Sequence, residues 1–168
     1  MKNLYMILIV FVNLILQITL YNFIKVFDVV PNIALILVVL FSLTSNVVMG
    51  GFIGLFTGLL YDILIMDVIG INALIYFLIG IILGSFSDEI NKENKMLYVF
   101  VTAIATVFYH VVTAFIMFFL KMNIYNIVLI IDKIIIQIII NSLLCILVQR
   151  LLNYIFSLKN IKLFNNRL

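Results

Sequence analysis

The chain has 168 residues, is 67% hydrophobic and only 10% charged, and carries a formal net charge of +3. A soluble domain is nearer roughly half apolar and a quarter charged, and a water-soluble fold of this length could not cover so much apolar surface. The composition excludes a water-soluble fold, and no basic patch interleaved with aromatics in a polar context points to nucleic acid.

Several apolar runs reach the roughly 20 residues needed to cross about 30 Å of hydrocarbon. Short polar punctuations separate them, so backbone polar groups must be satisfied inside helices. The period-2 alternation of a membrane β-barrel is absent. The sequence predicts one all-α integral membrane domain over residues 1–168, with six transmembrane helices in one bundle.

Helix 1 is predicted over about Leu4 to Ile24. Lys2 followed by apolar residues resembles a signal peptide. The run is too long for an h-region, however, and no A-x-A-like site follows it, so the segment reads as a first transmembrane helix that stays. Asn13, Gln17 and Tyr21 share one of its faces. Helix 2 is predicted from Pro31, a favoured first helical position, to about Leu43. It is short for a span, and is either thin, tilted or half of a re-entrant pair with helix 3, to which Thr44-Ser45-Asn46 links it. Helix 3 spans about Val47 to Met66 and helix 4 Gly70 to about Phe86, joined by a loop short enough to make them antiparallel neighbours. The polar loop Ser85 to Lys95 precedes helix 5, about Met96 to Leu120. Helix 6 runs about Lys133 to Phe156 and is followed by a basic tail, SLKNIKLFNNRL.

All seven glycines lie in the stretch Asn46 to Gly84. Gly50, Gly54 and Gly58 recur at spacing four and form a slanting strip on helix 3, where another backbone can approach closely. Asp62 continues the spacing at the outer end of the strip. On helix 4, Asn72, Tyr76, Gly80 and Gly84 also recur at spacing four. The two strips are expected to pack on each other, on a third helix, or on a partner's transmembrane helix. A carboxylate inside a span is costly. Asp62 is therefore partly hydrated a turn from the surface, or paired within the bundle, with Lys133 as its best charged partner and Tyr21 as a neutral one, or engaged in proton or ion coupling.

Few other residues invite chemistry. Gln137 and Asn141 share a face of helix 6; like the amides of helix 1, they read as interhelical hydrogen-bonding groups that could also line a pocket. His110 is the only histidine, lies near the middle of helix 5 beside Tyr109, and reads as neutral and hydrogen-bonded rather than as a metal ligand. Cys145 stands alone in an apolar run and supports neither a disulfide nor a thiolate site. No serine nucleophile motif, HExxH or phosphate loop occurs. The expectation is a protein that is not an enzyme and holds no cofactor or metal.

Lys and Arg in the loops give the orientation. Six spans place Lys2, Lys92, Lys95, Arg150, Lys159, Lys162 and Arg167 on one side, and Lys25, Lys121 and Lys133 on the other. The first side is predicted cytoplasmic, with both termini inside. The tail is then an anchor at lipid headgroups or a docking strip for a cytoplasmic partner.

The order of these features resembles the rod shape-determining protein MreD family. The matching residues are Pro31-Asn32, Gly51-Phe52-x-Gly54-Leu55, Gly58-Leu59-Leu60-Tyr61-Asp62-Ile63, Gly70-x-Asn72-Ala73-Leu74 and Tyr76-x-x-x-Gly80. Many members of that family carry Asp where this chain has Asn32. The resemblance implies a non-enzymatic component of the bacterial cytoplasmic (inner) membrane and of the cell-elongation machinery. It implies association with MreC, and through it a link from the MreB filament to lateral peptidoglycan synthesis by RodA and its transpeptidase partner. It also implies a fold similar to the six-helix substrate-binding subunits of energy-coupling-factor vitamin transporters. Such a transport subunit is the main alternative function. Those subunits typically carry small residues in helix 1, and here helix 1 has no Ala or Gly. A small proton- or ion-coupled transporter working through Asp62 is a third.

Overall fold

A computed structural model of the chain describes residues 2–20, 29–66, 68–92, 94–121 and 127–157. Tyr21, Lys25 and the basic tail lie outside the described residues. The elements are α1 (Lys2–Leu20), α2 (Ile33–Leu43), α3 (Val47–Ile65), α4 (Ile71–Ser85), α5 (Lys95–Phe119) and α6 (Ile127–Ser157), with no strand among the described residues.

The bundle is built around α2. Its sequence, IALILVVLFSL, is apolar on all sides, and a helix of that kind belongs in an interior. Every residue from Ala34 to Leu43 is buried, and α2 touches each of the other five helices. The structure corrects the expected start at Pro31. Proline has no N–H to give, whereas the Asn32 side chain accepts a hydrogen bond from the Leu35 amide at 2.9 Å, so Asn32 is the cap and Ile33 the first helical residue. At 11 residues, α2 rises only about 16 Å, half of the hydrocarbon thickness.

Around this axis the remaining helices form two antiparallel pairs and one single helix. The α3 and α4 helices are the most closely packed pair, and α5 and α6 form the second. The α1 helix packs on α2 and α3; α6 packs only on α5 and α2. Among the described residues, three helical segments are long and apolar enough to cross a membrane, namely Val47–Ile65, Lys95–Phe119 and Ile131–Ser157. The other apolar helices, Asn3–Ile15, Ile33–Leu43 and Ile71–Ser85, are shorter. Outward-facing positions such as Leu8, Phe100, Leu143 and Leu147 are exposed and apolar, as a lipid-facing surface requires. Helix α6 begins at Ile127, six residues before the expected Lys133. Asp132 and Lys133 suggest a loop in the sequence, but both are exposed positions on a helix, where charge does not interrupt backbone hydrogen bonding.

Candidate functional site: the α3–α4 seam and the polar hub beside it

The glycine strip of α3 is covered by the backbone of α4. A Cβ on Gly50 would overlap the Gly80 carbonyl oxygen, and one on Gly80 would overlap that of Gly50. A Cβ on Gly54 would overlap the Tyr76 carbonyl, and one on Gly58 would lie 2.5 Å from the Ala73 Cα. At the end where α3 begins, a Cβ on Gly84 would come within 2.9 Å of the Val47 Cα. Each step of four along α3 thus meets a step of four back along α4, with bare backbone on both sides. Gly51 lies off this line and faces the Ile81 and Phe77 side chains.

Asp62 closes the seam at its opposite end, where α4 begins. It is fully buried. One oxygen, Oδ1, accepts from the Asn72 amide at 3.2 Å and from Asn72 Nδ2 at 2.6 Å. The other, Oδ2, accepts from the amides of Gly70 at 2.9 Å and Ala73 at 3.0 Å. The first turn of a helix leaves its N–H groups without partners, and Gly70, which caps α4, has no side chain to supply one. Asp62 provides that cap from the neighbouring helix, and its carboxylate meets the positive end of the α4 dipole. Gly70 itself has φ +108°, a left-handed conformation that glycine adopts without steric cost, and this turn aims its N–H at Asp62. The expected pairing of Asp62 with Lys133 does not form. Lys133 is exposed on α6, which does not pack on α3.

A second constellation surrounds the turn that opens α2. The Asn32 amide donates to Asn141 Oδ1 at 3.0 Å. Tyr76 Oη donates to Asn32 Oδ1 at 2.9 Å, so the α4 strip is tied directly to this turn. Gln137 Nε2 donates to the Val30 carbonyl at 2.9 Å, and Gln17 Nε2 to the Pro31 carbonyl at 3.3 Å. Side chains from α1, α4 and α6 therefore converge on the backbone and cap of three residues. Tyr76 also packs edge-on against Tyr61, with ring centroids 6.1 Å apart, and in a tilted contact with Tyr109 at 5.9 Å.

The α5–α6 pair is held by a ladder of polar side chains with the same spacing of four. His110 Nε2 meets Gln137 Oε1. Asn141 Nδ2 donates to Thr106 Oγ1 at 3.2 Å, Thr102 Oγ1 to Cys145 Sγ at 3.3 Å, and Gln149 Nε2 to the Lys95 carbonyl at 3.4 Å. Of these groups, Gln137, Asn141 and His110 are visible in the sequence as candidates for hydrogen bonding. Thr102, Thr106 and Gln149 are the missed members, although their spacing against 110 and 141 carries the signal. Among the described residues no group of three or more His, Cys, Asp or Glu side chains could hold a metal ion.

The family profile of the rod shape-determining protein MreD matches residues 1–155. The chain belongs to the MreD family. That family is a shape-determining structural one and not a known enzyme family. No curated protein and no solved structure matches the chain. The MreD match contains the whole α3–α4 seam, the turn at Val30 to Asn32 and every rung of the α5–α6 ladder, and it ends before the basic tail.

Proposed function

We propose that this MreD-family chain is a six-span, multi-pass scaffold of the cytoplasmic membrane with both termini inside, working in cell elongation. In this reading it binds MreC and couples it and the MreB filament to lateral peptidoglycan synthesis by RodA and its transpeptidase partner. The family match carries the reading. The distribution of Lys and Arg supports the topology. The fold is taken as similar to that of energy-coupling-factor substrate-binding subunits.

One structural feature favours a scaffold over a transport subunit. A vitamin or ion site needs convergent polar groups that are free to meet a ligand. Here Asp62 accepts four hydrogen bonds from the start of α4. The amides of Gln17, Gln137 and Asn141 donate to or accept from backbone at the start of α2. Each of these four side chains holds one helix against another. The loop from Ser85 to Lys95 and the tail are the surfaces that a cytoplasmic filament reaches, and the eight residues Gly50, Gly54, Gly58, Asp62, Asn72, Tyr76, Gly80 and Gly84 act by fixing the body that partners recognise.

Depletion of the chain from its rod-shaped host should give round, swollen cells and loss of MreC from affinity-purified complexes. Unchanged rod shape would refute the scaffold reading. A thermal shift with a panel of vitamins would instead revive the transport subunit.

A further inference from the structure

The amide of Gln137 sits between groups of two other elements. Its Nε2 donates to the Val30 carbonyl at 2.9 Å, in the turn that opens α2. Its Oε1 meets His110 Nε2 on α5. The first contact fixes the second. A carbonyl oxygen can only accept, so the NH₂ group of Gln137 faces Val30 and its oxygen faces His110. The ring nitrogen opposite that oxygen therefore carries a hydrogen, and in a neutral imidazole the other nitrogen, Nδ1, is then bare. The other tautomer fails in either orientation of the amide. As the amide stands, a bare Nε2 would set its lone pair against Oε1. With the amide turned over, Oε1 would face the Val30 carbonyl, acceptor against acceptor.

The threonines of α5 cannot take the place of His110. Thr102, Thr106 and Thr113 donate to the carbonyls of Tyr98, Thr102 and Tyr109, one turn back in their own helix. Thr106 accordingly accepts from α6: Asn141 Nδ2 donates to it at 3.2 Å, while Asn141 Oδ1 accepts from the Asn32 amide at 3.0 Å. Two amides of α6 thus bridge α5 to the turn at Val30 and Asn32 with opposite polarity. At residue 141 the hydrogens run from the turn towards α5, and at residue 137 from α5 towards the turn. His110 is the source of the second run. Without its hydrogen, Gln137 Oε1 has no donor, the amide is free to rotate, and the Val30 carbonyl loses a fixed partner.

We infer that His110 is a positioning residue, held as the Nε2–H tautomer, that orients the Gln137 amide and through it holds the turn that opens the buried helix α2. The role is one of geometry, and only its effect on cell shape rests on the scaffold reading given above.

The test begins with the unaltered full chain in lipid bilayers. His110 is the only histidine, so solid-state NMR of isotope-labelled histidine reads a single ring. The expected neutral ring has its hydrogen on Nε2 and a bare Nδ1. A hydrogen on Nδ1 with a bare Nε2 overturns the inference. Two variants then separate a donor at this place from a polar group of any kind. The amide nitrogen of glutamine reaches about as far from the backbone as Nε2 of histidine, and that of asparagine only about as far as Nδ1. His110→Gln should leave hydrogen exchange of the Asn32 amide at its parent rate, measured relative to the amides of α3. His110→Asn should raise it roughly two- to tenfold. Equal rates in the two variants overturn the positioning role. In the rod-shaped host, His110→Gln should keep the cells as rods and His110→Asn should round them. Fast exchange at Asn32 in His110→Asn together with normal rods would uphold the positioning role and refute the scaffold reading of this turn.

Discussion

The most informative single change is Asp62→Asn, because it preserves volume and removes half of the cap. An asparagine oxygen in place of Oδ1 can still accept from the Asn72 amide and side chain. Its NH₂ then faces the amides of Gly70 and Ala73, setting donors against donors. Hydrogen bonds to a charged group contribute about 1.5–3 kcal/mol each, and a buried donor left unpaired costs about 1–3 kcal/mol. The terms overlap, so the expected loss for Asp62→Asn is ~2–4 kcal/mol, with Asp62→Ala costing more. Reversible unfolding in mixed detergent micelles measures the total. Hydrogen exchange reads the cause, since the amides of Gly70, Asn72 and Ala73 should lose protection before the rest of α4 does. Asp132→Asn, on an exposed face, is the control and should leave both readouts unchanged. If Asp62→Asn unfolds within ~0.5 kcal/mol of the parent chain, the cap does not stabilise the hairpin and its derivation is wrong.

Other changes probe the seam and the hub. Gly54→Ala, which drives a methyl into the Tyr76 carbonyl, should cost ~1–3 kcal/mol and round the cells, whereas Gly51→Ala meets only the movable side chains of Ile81 and Phe77 and should be tolerated in both assays. Gly70→Ala meets nothing within 4 Å but must hold φ near +108°, so it should cost ~1–2 kcal/mol in unfolding with cell shape retained. Asn141→Leu leaves the Asn32 amide without its acceptor and should cost ~1–3 kcal/mol, with the Asn32 amide exchanging faster. Tyr76→Phe removes one donor from Asn32 Oδ1 and should cost no more than ~1.5 kcal/mol in the same unfolding assay.

Apolar runs and short connections placed the described helix ends to within a few residues except at the start of α6, because in lipid a spanning chain has few alternatives to a helix. Spacing of four along two adjacent helices marked both as close-packing faces, since glycine in a span admits a backbone approach that a larger residue would block, but left open whether the strips met each other or another helix. The partner of Asp62 was not legible. A carboxylate in an apolar run suggests a cation, and the actual donors are the Asn72 side chain and three backbone amides, which every sequence contains and none displays. The place of α2 was half legible: its uniform apolarity marks an interior helix, but its depth depends on Asn141 and Gln137, more than a hundred residues away in the chain. The start of α6 was misplaced for the opposite reason, a charged pair that looked like a loop and is an exposed turn of helix. The α5–α6 ladder was missed because threonines in a membrane helix usually bond their own preceding carbonyl, as Thr102 and Thr106 also do here.

The two hairpins differ in what holds them, and the difference limits where a partner helix can dock. In α3–α4 the contact is backbone against backbone, and every glycine of the strip is already closed off by Gly80, Tyr76 or Ala73. A partner's transmembrane helix could reach that strip only by parting the hairpin and uncovering the amides that Asp62 caps, which lipid would leave unsatisfied. The strip therefore shapes the body without itself being offered to another chain. Tyr76 transmits that fixed geometry to Asn32, and Asn32 to Asn141, so the position of α6 depends on the seam although α6 never touches α3. A substitution that opens the seam should in consequence displace the α5–α6 pair as well. Spin labels at Phe100 and Leu143, both lipid-facing, would register that as a changed distance to a label on α1 in Gly54→Ala. An unchanged distance in a variant whose seam has opened would show that the hub does not couple the two hairpins.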